Sequence, residues 1–512
     1  MSSLSRTDEN GRTTTDAVLE REQLPAAPLP LRASGYGFAR YQRIVSTTVF
    51  HWFSANEGNL HGPWPPIGGR PSWDGSVQFW RSQIKEIMLA NIDAIYLHLI
   101  PDFENYRITF FRAYSELRAE GWDVPKLAPF LDPFGIWRAA PIDLATDEGK
   151  REFLSHYLRF FKQYFEQNQD PVSAEYLLTI DGRLALSTWW VSLLQNVQSL
   201  QRSDVEHALR SEFAARIPQL ANGVWMITTA LIDPDLSFSD ERVVMFSGYT
   251  YAIHSVHAGI DVWHIQPGYW DQNIRKPGYL MPRDGGKNYR RAWDIIAADS
   301  HVNRVYIESW NEYDEGSGIY PADPSGMFVN TDMHSNSDVF SDDNDPYEYV
   351  LTTAAGAARI NGKPELDAKF MWHISDQDEK IDKLNITLVV RNEGNSRWTA
   401  PGGYGLYILC GTRVLGFLPI EDRYGDRRAE HRGIIRGQPV AFKLTVEVDP
   451  ETPELTFTVG CGGHFFGEQL AIAVAGAPSN STGLISPLET TTQPLSRLAS
   501  LLTFKRWRGA VR

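Results

Sequence analysis

Residues 306 to 321 read Tyr306-Ile307-Glu308-Ser309-Trp310-Asn311-Glu312-Tyr313-Asp314-Glu315-Gly316-Ser317-Gly318-Ile319-Tyr320-Pro321. No other apolar run in the chain is followed by so dense a cluster of acidic, amide and aromatic side chains. Two carboxyls three residues apart on one loop are suited to cleaving a glycosidic bond. One protonates the leaving oxygen and the other acts on the anomeric side, provided burial or mutual repulsion keeps one of them protonated. Glu312 and Glu315 are the candidate catalytic pair. Asn311 is placed to hold a sugar hydroxyl or orient a carboxylate, and Trp310 and Tyr313 to form an apolar wall. Composition alone also allows a solvated acidic loop with two glycines.

Such a pair needs a scaffold that aims both carboxyls into one cavity. From Ile44 onward, apolar strand-like runs alternate with amphipathic helical stretches, the pattern of parallel βα units. Strands are expected at 44–50, 94–100, 126–131, 184–187, 224–228, 243–246, 262–265 and 302–307, the number a (β/α)8 TIM barrel requires. Helices are expected near 77–89, 150–165, 203–216, 289–298 and 347–360, from apolar residues spaced three and four apart. Asp181-Gly182, between two apolar runs, reads as a hairpin turn just before the fourth strand. In such barrels the reactive groups stand at the C-terminal ends of the strands. This adds His51 and Trp52 after the first strand, His98 and Asp102 after the second, and Asp132 after the third. Trp189 and Trp190 follow the fourth strand, and His264, Gln266, Tyr269 and Trp270 follow the seventh. A lone His or Trp at such a place is more often a packed or hydrogen-bonded barrel residue than a sugar contact.

Beyond Gly362-Lys363-Pro364 the runs shorten and alternate, at 384–390, 404–409, 440–448 and 455–459, separated by Gly, Pro and Asn. This pattern predicts a small antiparallel β-sandwich. The expected organisation is a disordered lead-in at 1–36, the barrel at 37–362, the sandwich at 363–476, and a Ser/Thr/Pro-rich linker with a basic, apolar tail at 477–512. The tail is either frayed or able to lie on an anionic membrane surface.

Composition narrows the chemistry. A net charge of −14 over 512 residues disfavours nucleic acid, whose binders need basic surface. Aromatic residues make up 12%, including 16 Trp and 21 Tyr, which suits platforms for the flat C–H faces of sugars as well as a large core. Cys410 and Cys461 are the only cysteines, too few for a thiolate metal cluster, and either pair across the sandwich or remain free thiols. There is no His-Glu-x-x-His, Gly-x-Ser-x-Gly, Walker or dinucleotide motif, so no metal or other cofactor is expected. No signal peptide or membrane-spanning run is visible, which points to a cytoplasmic location.

The run Asn311-Glu312-Tyr313-Asp314-Glu315-Gly316, with Ile319 and Pro321, resembles the Asn-Glu-Trp-x-Glu-Gly signature of glycoside hydrolase family 99, the endo-α-mannosidases. It is similar also to related barrels from bacterial surface-polysaccharide gene clusters. Ser72-Trp73-Asp74 and Ala90-Asn91-Ile92-Asp93-Ala94 look like that group's first βα unit, and residues 180–187 like its turn into the fourth strand, so the likeness covers about residues 40–360. It implies a retaining glycosidase. Glu315 would be the general acid/base, and Glu312 would draw the proton from the sugar 2-hydroxyl so that this oxygen attacks the anomeric carbon and forms a 1,2-anhydro intermediate. The implied partner is an oligo- or polysaccharide. Tyr313 in place of Trp, Asp314 where His is frequent, and Tyr320 in place of a Glu bear on which sugar is accepted. A catalytically silent glycan-binding barrel assisting polysaccharide assembly or export is the competing reading. So is the larger clan with Asn-Glu after the fourth strand, although Asn-Glu here follows the eighth.

Overall fold

The computed structural model describes residues 6–7, 13–14, 32–35, 37–100, 103–133, 141–189, 191–230, 236–244, 250–330, 336–378, 383–420, 433–447 and 454–474. Asp102, Trp190 and the C-terminal tail lie outside them.

Nine strands form one mixed sheet that curls into a nearly closed barrel: β1 Ile44–Val49, β2 Ala94–Leu99, β3 Lys126–Leu131, β4 Arg183–Thr188, β5 Val224–Ala230, β6 Glu241–Val244, β7 Ala252–His257, β8 Ile260–Ile265 and β9 Arg304–Ile307. Their order is β7-β8-β9-β1-β2-β3-β4-β5-β6. All neighbours are parallel except β7, which returns antiparallel on β8. The helices among the described residues are α1 Val77–Leu89, α2 Glu104–Ala119, α3 Asp147–Gln167, α4 Arg202–Phe213, α5 Lys287–Ala298 and α6 Glu348–Ile360. The strict alternation expected of a (β/α)8 barrel is therefore broken after β5: no described helix connects β5 to β6, and β7 stands between β6 and β8.

Strand parity builds the two layers. Ile44, Ala94, Tyr96, Ala128, Phe130, Ala185, Val262 and Tyr306 fill the barrel interior. Their neighbours Val45, Ile95, Leu97, Leu127, Leu131, Leu186, Val305 and Ile307 face the helices. The helices follow the same logic. Ser76 caps α1 by accepting from Phe79 N, and Trp80, Ile84, Ile87 and Met88 are buried at helical spacing. In α5, Tyr289, Ala292, Trp293 and Ile296 are buried, again three and four apart. The expected hairpin before β4 is present. Thr179–Ile180 pairs antiparallel with Arg183 and Leu184 around Asp181 and Gly182, both at positive φ as a tight two-residue turn requires.

The foot of the barrel is closed by the buried ion pair of Arg304 Nε with Glu241 Oε2 at 3.0 Å, and Trp225 Nε1 donates to the same oxygen. Below it sits the sandwich. Strands β10 Ala368–Asp378, β11 Lys383–Asn392 and β14 Pro439–Glu447 form one sheet. Strands β12 Tyr404–Cys410, β13 Arg413–Pro419, β15 Glu454–Cys461 and β16 His464–Ala473 form the other. Leu388, Val390, Trp398, Leu406, Phe442, Phe457 and Val459 make its separate core.

The seam is ionic and lies at the N-terminal ends of β2 and β3, away from the barrel mouth. Arg436 Nη2 donates to Asp93 Oδ1 at 3.0 Å, and Arg391, paired with Glu393, reaches Ser34. Ser34 N also donates to Asp123 Oδ1, so packing begins inside the stretch expected to be a disordered lead-in. Cys410 and Cys461 are free. Cys461 pairs opposite Tyr404, six residues from Cys410 along β12, a span of roughly 20 Å that rules out a bridge. No helix among the described residues is long and apolar enough to cross a membrane.

Candidate active site

Inward parity continues past the strand ends. It carries His98 on β2, Asp132 after β3, Trp189 after β4, His264 on β8 and Glu308 after β9 to the same end of the barrel. Two buried imidazoles there each hold a carboxyl: His98 Nε2 lies 3.0 Å from Asp132 Oδ2, and His264 Nε2 lies 2.9 Å from Glu308 Oε2. Trp52 stacks on His98 with ring centroids 5.9 Å apart, Trp189 packs on Phe130, and His51 is buried just after β1. Tyr306 sits beneath them, stacked on His264 and Tyr96 and hydrogen-bonded to Thr48.

The loop after β9 is a tight turn. Ser309 Oγ accepts from Glu312 N at 2.6 Å, Gly316 N donates to Tyr313 O, and Ser317 N to Glu312 O. Gly316 has φ +59, and a Cβ there would lie 2.9 Å from Pro63 Cγ and 3.0 Å from Trp270 O, so only glycine fits. Trp270 N donates to Glu315 O at 2.7 Å, and Arg283 Nη2 donates to the carbonyls of Gly316 and Gly318 at 2.8 and 2.7 Å.

The turn sets Glu312 and Glu315 in one electrostatic environment with different partners. Glu312 is 8% exposed, and no described residue hydrogen-bonds its carboxyl. Burial, reinforced by the charges of Glu315, Asp314 and Glu308, pushes its pKa well above the ordinary carboxyl range. Glu315 keeps 27% of its side chain exposed and accepts from Arg275 Nη2 at 2.7 Å. Burial raises it too, and Arg275 is the main opposing influence. Arg275 is shared. Its Nη1 donates to Asp271 Oδ2 at 2.6 Å and to the Tyr269 hydroxyl at 2.8 Å. Burial and the charges of Glu315 and Asp271 hold the Tyr269 phenol protonated.

Several aromatic and amide candidates turn out to be structural. Trp310 is wholly buried on the helix side, its Nε1 donating to Gln83 of α1. The Asn311 amide is consumed by the backbone of Phe50, accepting from its N and donating to its O, both at 2.8 Å. It pins the loop to the end of β1 and has no carboxylate partner. Tyr313 is packed among Phe53, Trp73 and Tyr320, with its hydroxyl accepting from Arg70. Trp270 is buried with Nε1 on Asn336 O, and Gln266 is buried with its amide on the Met281 sulfur. Asp314 turns towards the preceding loop, accepting from His61 N at 2.7 Å, and burial pushes its pKa up to about 6. Tyr320 donates to Trp64 O in the core.

Two contributors were not among the expected site residues. Glu308 lies inside the conspicuous run itself, with the inward parity of Tyr306 as its signal. Arg275 belongs to Asp271-Gln272-Asn273-Ile274-Arg275, whose only sequence signal is an acid and a base four residues apart. A solvent-open cavity of about 450 Å³ lined by Pro282, Asp284, Asn288, Ser337, Asp338 and Val339 contains neither catalytic candidate.

No family model and no curated protein matches the chain. Among solved structures it is similar to the GH99 endo-alpha-mannosidase from Bacteroides thetaiotaomicron, with 14% identity, a TM-score of 0.44, and 63% of this chain and 98% of that one covered. It is also similar to a putative beta-galactosidase from Bacteroides fragilis, with 10% identity, a TM-score of 0.30, and 85% of this chain and 55% of that one covered. Likenesses this distant leave function to be read from the chain's own residues.

Proposed function

We propose that the chain is a retaining glycoside hydrolase that cuts an α-linked polysaccharide within its length, using Glu312 and Glu315. The observation that carries this reading is the asymmetric pair. A buried and a half-buried carboxyl on one turn repel each other, one without a partner among the described residues and one on a guanidinium, so they share a proton more readily than both ionise. One acid and one base in one cavity is what a retaining glycosidase needs. In the roles the family resemblance implies, Glu312 accepts the proton of the 2-hydroxyl as O2 closes on C1. Glu315 protonates the departing oxygen, then takes a proton from water as it opens the anhydro ring.

Burial of Glu312 and the Arg275 contact of Glu315 favour the proton on Glu312, so bound glycan must shift it towards Glu315. Arg275 on Glu315 is also the specific observation that favours a silent glycan-binding barrel, because a guanidinium makes its partner a weaker proton donor. Glu312→Gln and Glu315→Gln decide between the two readings. Against α- and β-linked aryl glycosides and bacterial polysaccharides, each should lower kcat by about a thousandfold or more while glycan binding persists. A wild type that binds glycan and releases no sugar from any of them would overturn the hydrolase reading.

A further inference from the structure

Among the described residues, the mouth of the barrel carries more carboxyls than cations. Asp271, Glu308, Glu312 and Glu315 meet one guanidinium, Arg275, and that group is already divided among Asp271, Glu315 and the Tyr269 hydroxyl. Glu308 is held through Oε2 by His264 and makes no ion pair with a lysine or arginine. Its side chain is 14% exposed at the mouth, so its free oxygen is available. Glu312 is more than nine-tenths buried, and its carboxyl has no hydrogen-bond partner among the described residues. Buried carboxylates without a cation are costly, and natural sites of this kind are completed by a metal or by a charge on the ligand.

The geometry points to a cation subsite made by Glu308 and Glu312 for a protonated amino group, so that the preferred substrate is a polysaccharide carrying free amino sugars. This rests on the hydrolase reading for its glycan, and names the class of glycan. Such a substrate brings the positive charge that Glu308 and Glu312 lack among the described residues. An ammonium beside Glu308 and Glu312 stabilises both carboxylates, which releases Glu312 to act as the base and leaves the shared proton to Glu315. The ring that is cleaved must keep its 2-hydroxyl to form the anhydro intermediate. The amino group therefore belongs to the adjoining residue or to another carbon of the same ring, as in a mixed polymer of hexose and hexosamine. An acetylated amino group carries no charge and loses this contact. A uronate would be repelled.

The test uses the full chain and oligosaccharides from an α-linked hexose–hexosamine heteropolymer, offered fully N-acetylated and after de-N-acetylation. Binding is measured by calorimetry and cleavage by released reducing ends, at about pH 6, where amines are protonated. Excess oligolysine suppresses unspecific attraction to a chain of net charge −14. The expected result is roughly tenfold or tighter binding of the free-amine form, with a matching preference in kcat/KM. Glu308→Gln should collapse that ratio while melting as the wild type does. Should Glu308→Gln fail to fold, Glu312→Gln read by binding alone must show the same collapse. Equal binding of the two forms, or a ratio unchanged in the variants, overturns the subsite. Cleavage of both forms at one rate removes the subsite and keeps the hydrolase. Preferential binding without cleavage keeps the subsite and removes the hydrolase.

Discussion

Arg275 Nη2 donates to Glu315 Oε1 across 2.7 Å, whereas Glu312, three residues earlier on the same turn, has no ion pair among the described residues. Burial raises both carboxyls, and the guanidinium holds Glu315 below where burial alone would put it. The side chain of Arg275 is 48% exposed, so solvent screens part of this effect. In Arg275→Met the Glu315 carboxyl should stay protonated to higher pH. With Glu315 as the general acid, the alkaline limb of the kcat/KM profile moves upward by about one pH unit, and Arg275→Lys restores most of the original profile. A limb that stays in place or moves downward assigns the titration to another group.

Asp314, whose carboxyl turns to His61 N on the preceding loop, offers a stability test. Its pKa stands at about 6 in the folded protein against an ordinary 3.8, because burial outweighs the hydrogen bond from His61 N. A carboxyl raised by folding binds its proton more tightly in the native state. Its favourable contribution is therefore complete below the unfolded value and lost as pH rises through about 6. Asp314→Asn keeps an acceptor for His61 N and removes the charge. Urea unfolding should show the variant more stable than wild type at pH 7 by about 1–3 kcal/mol, with the difference shrinking towards pH 4. A destabilised variant at pH 7 would mean that the carboxylate is paired more strongly than its surroundings indicate.

The barrel was legible because its strands are short apolar runs buried on both faces, which stand out between helical stretches. Strand β7 was not: its side chains are mostly half-buried or exposed, so Ala252 to His257 carries no apolar signal. Helix α2 was missed for a different reason. It starts after Phe103, which lies at positive φ and provides no side-chain cap, and it buries two arginines, Arg107 and Arg118. The nearness of Glu312 and Glu315 was legible because both lie on one turn. Arg275 and Asp271 stand some forty residues upstream, and only the return of the loop after β8 brings them to Glu315. Trp310 and Tyr313 misled because a strand-end aromatic looks the same in sequence whether it faces the cavity or the helices. Hydrogen bonds to Gln83 and Arg70 place both on the structural side.

The turn that carries Glu312 and Glu315 is tied to Arg283, a buried guanidinium that touches neither carboxyl. It lies over the rings of Tyr349 and Phe340, and Nη2 donates to Gly316 O and Gly318 O, closing the loop that carries Glu315. Arg283→Met keeps contact with the two rings and strips the donor from two carbonyls, each costing about 1–3 kcal/mol when left unpaired in the interior. The unfolding free energy should fall by about 2–5 kcal/mol. If the guanidinium also positions the turn, kcat should drop at temperatures where the variant is still fully folded, by about tenfold or more, with the glycan Kd little changed. Arg283→Lys, which can reach one carbonyl, should recover part of both losses. A variant that loses stability yet keeps its wild-type kcat below the melting transition would show that Gly316 and Gly318 hold the turn without it, and that Arg283 serves the fold alone.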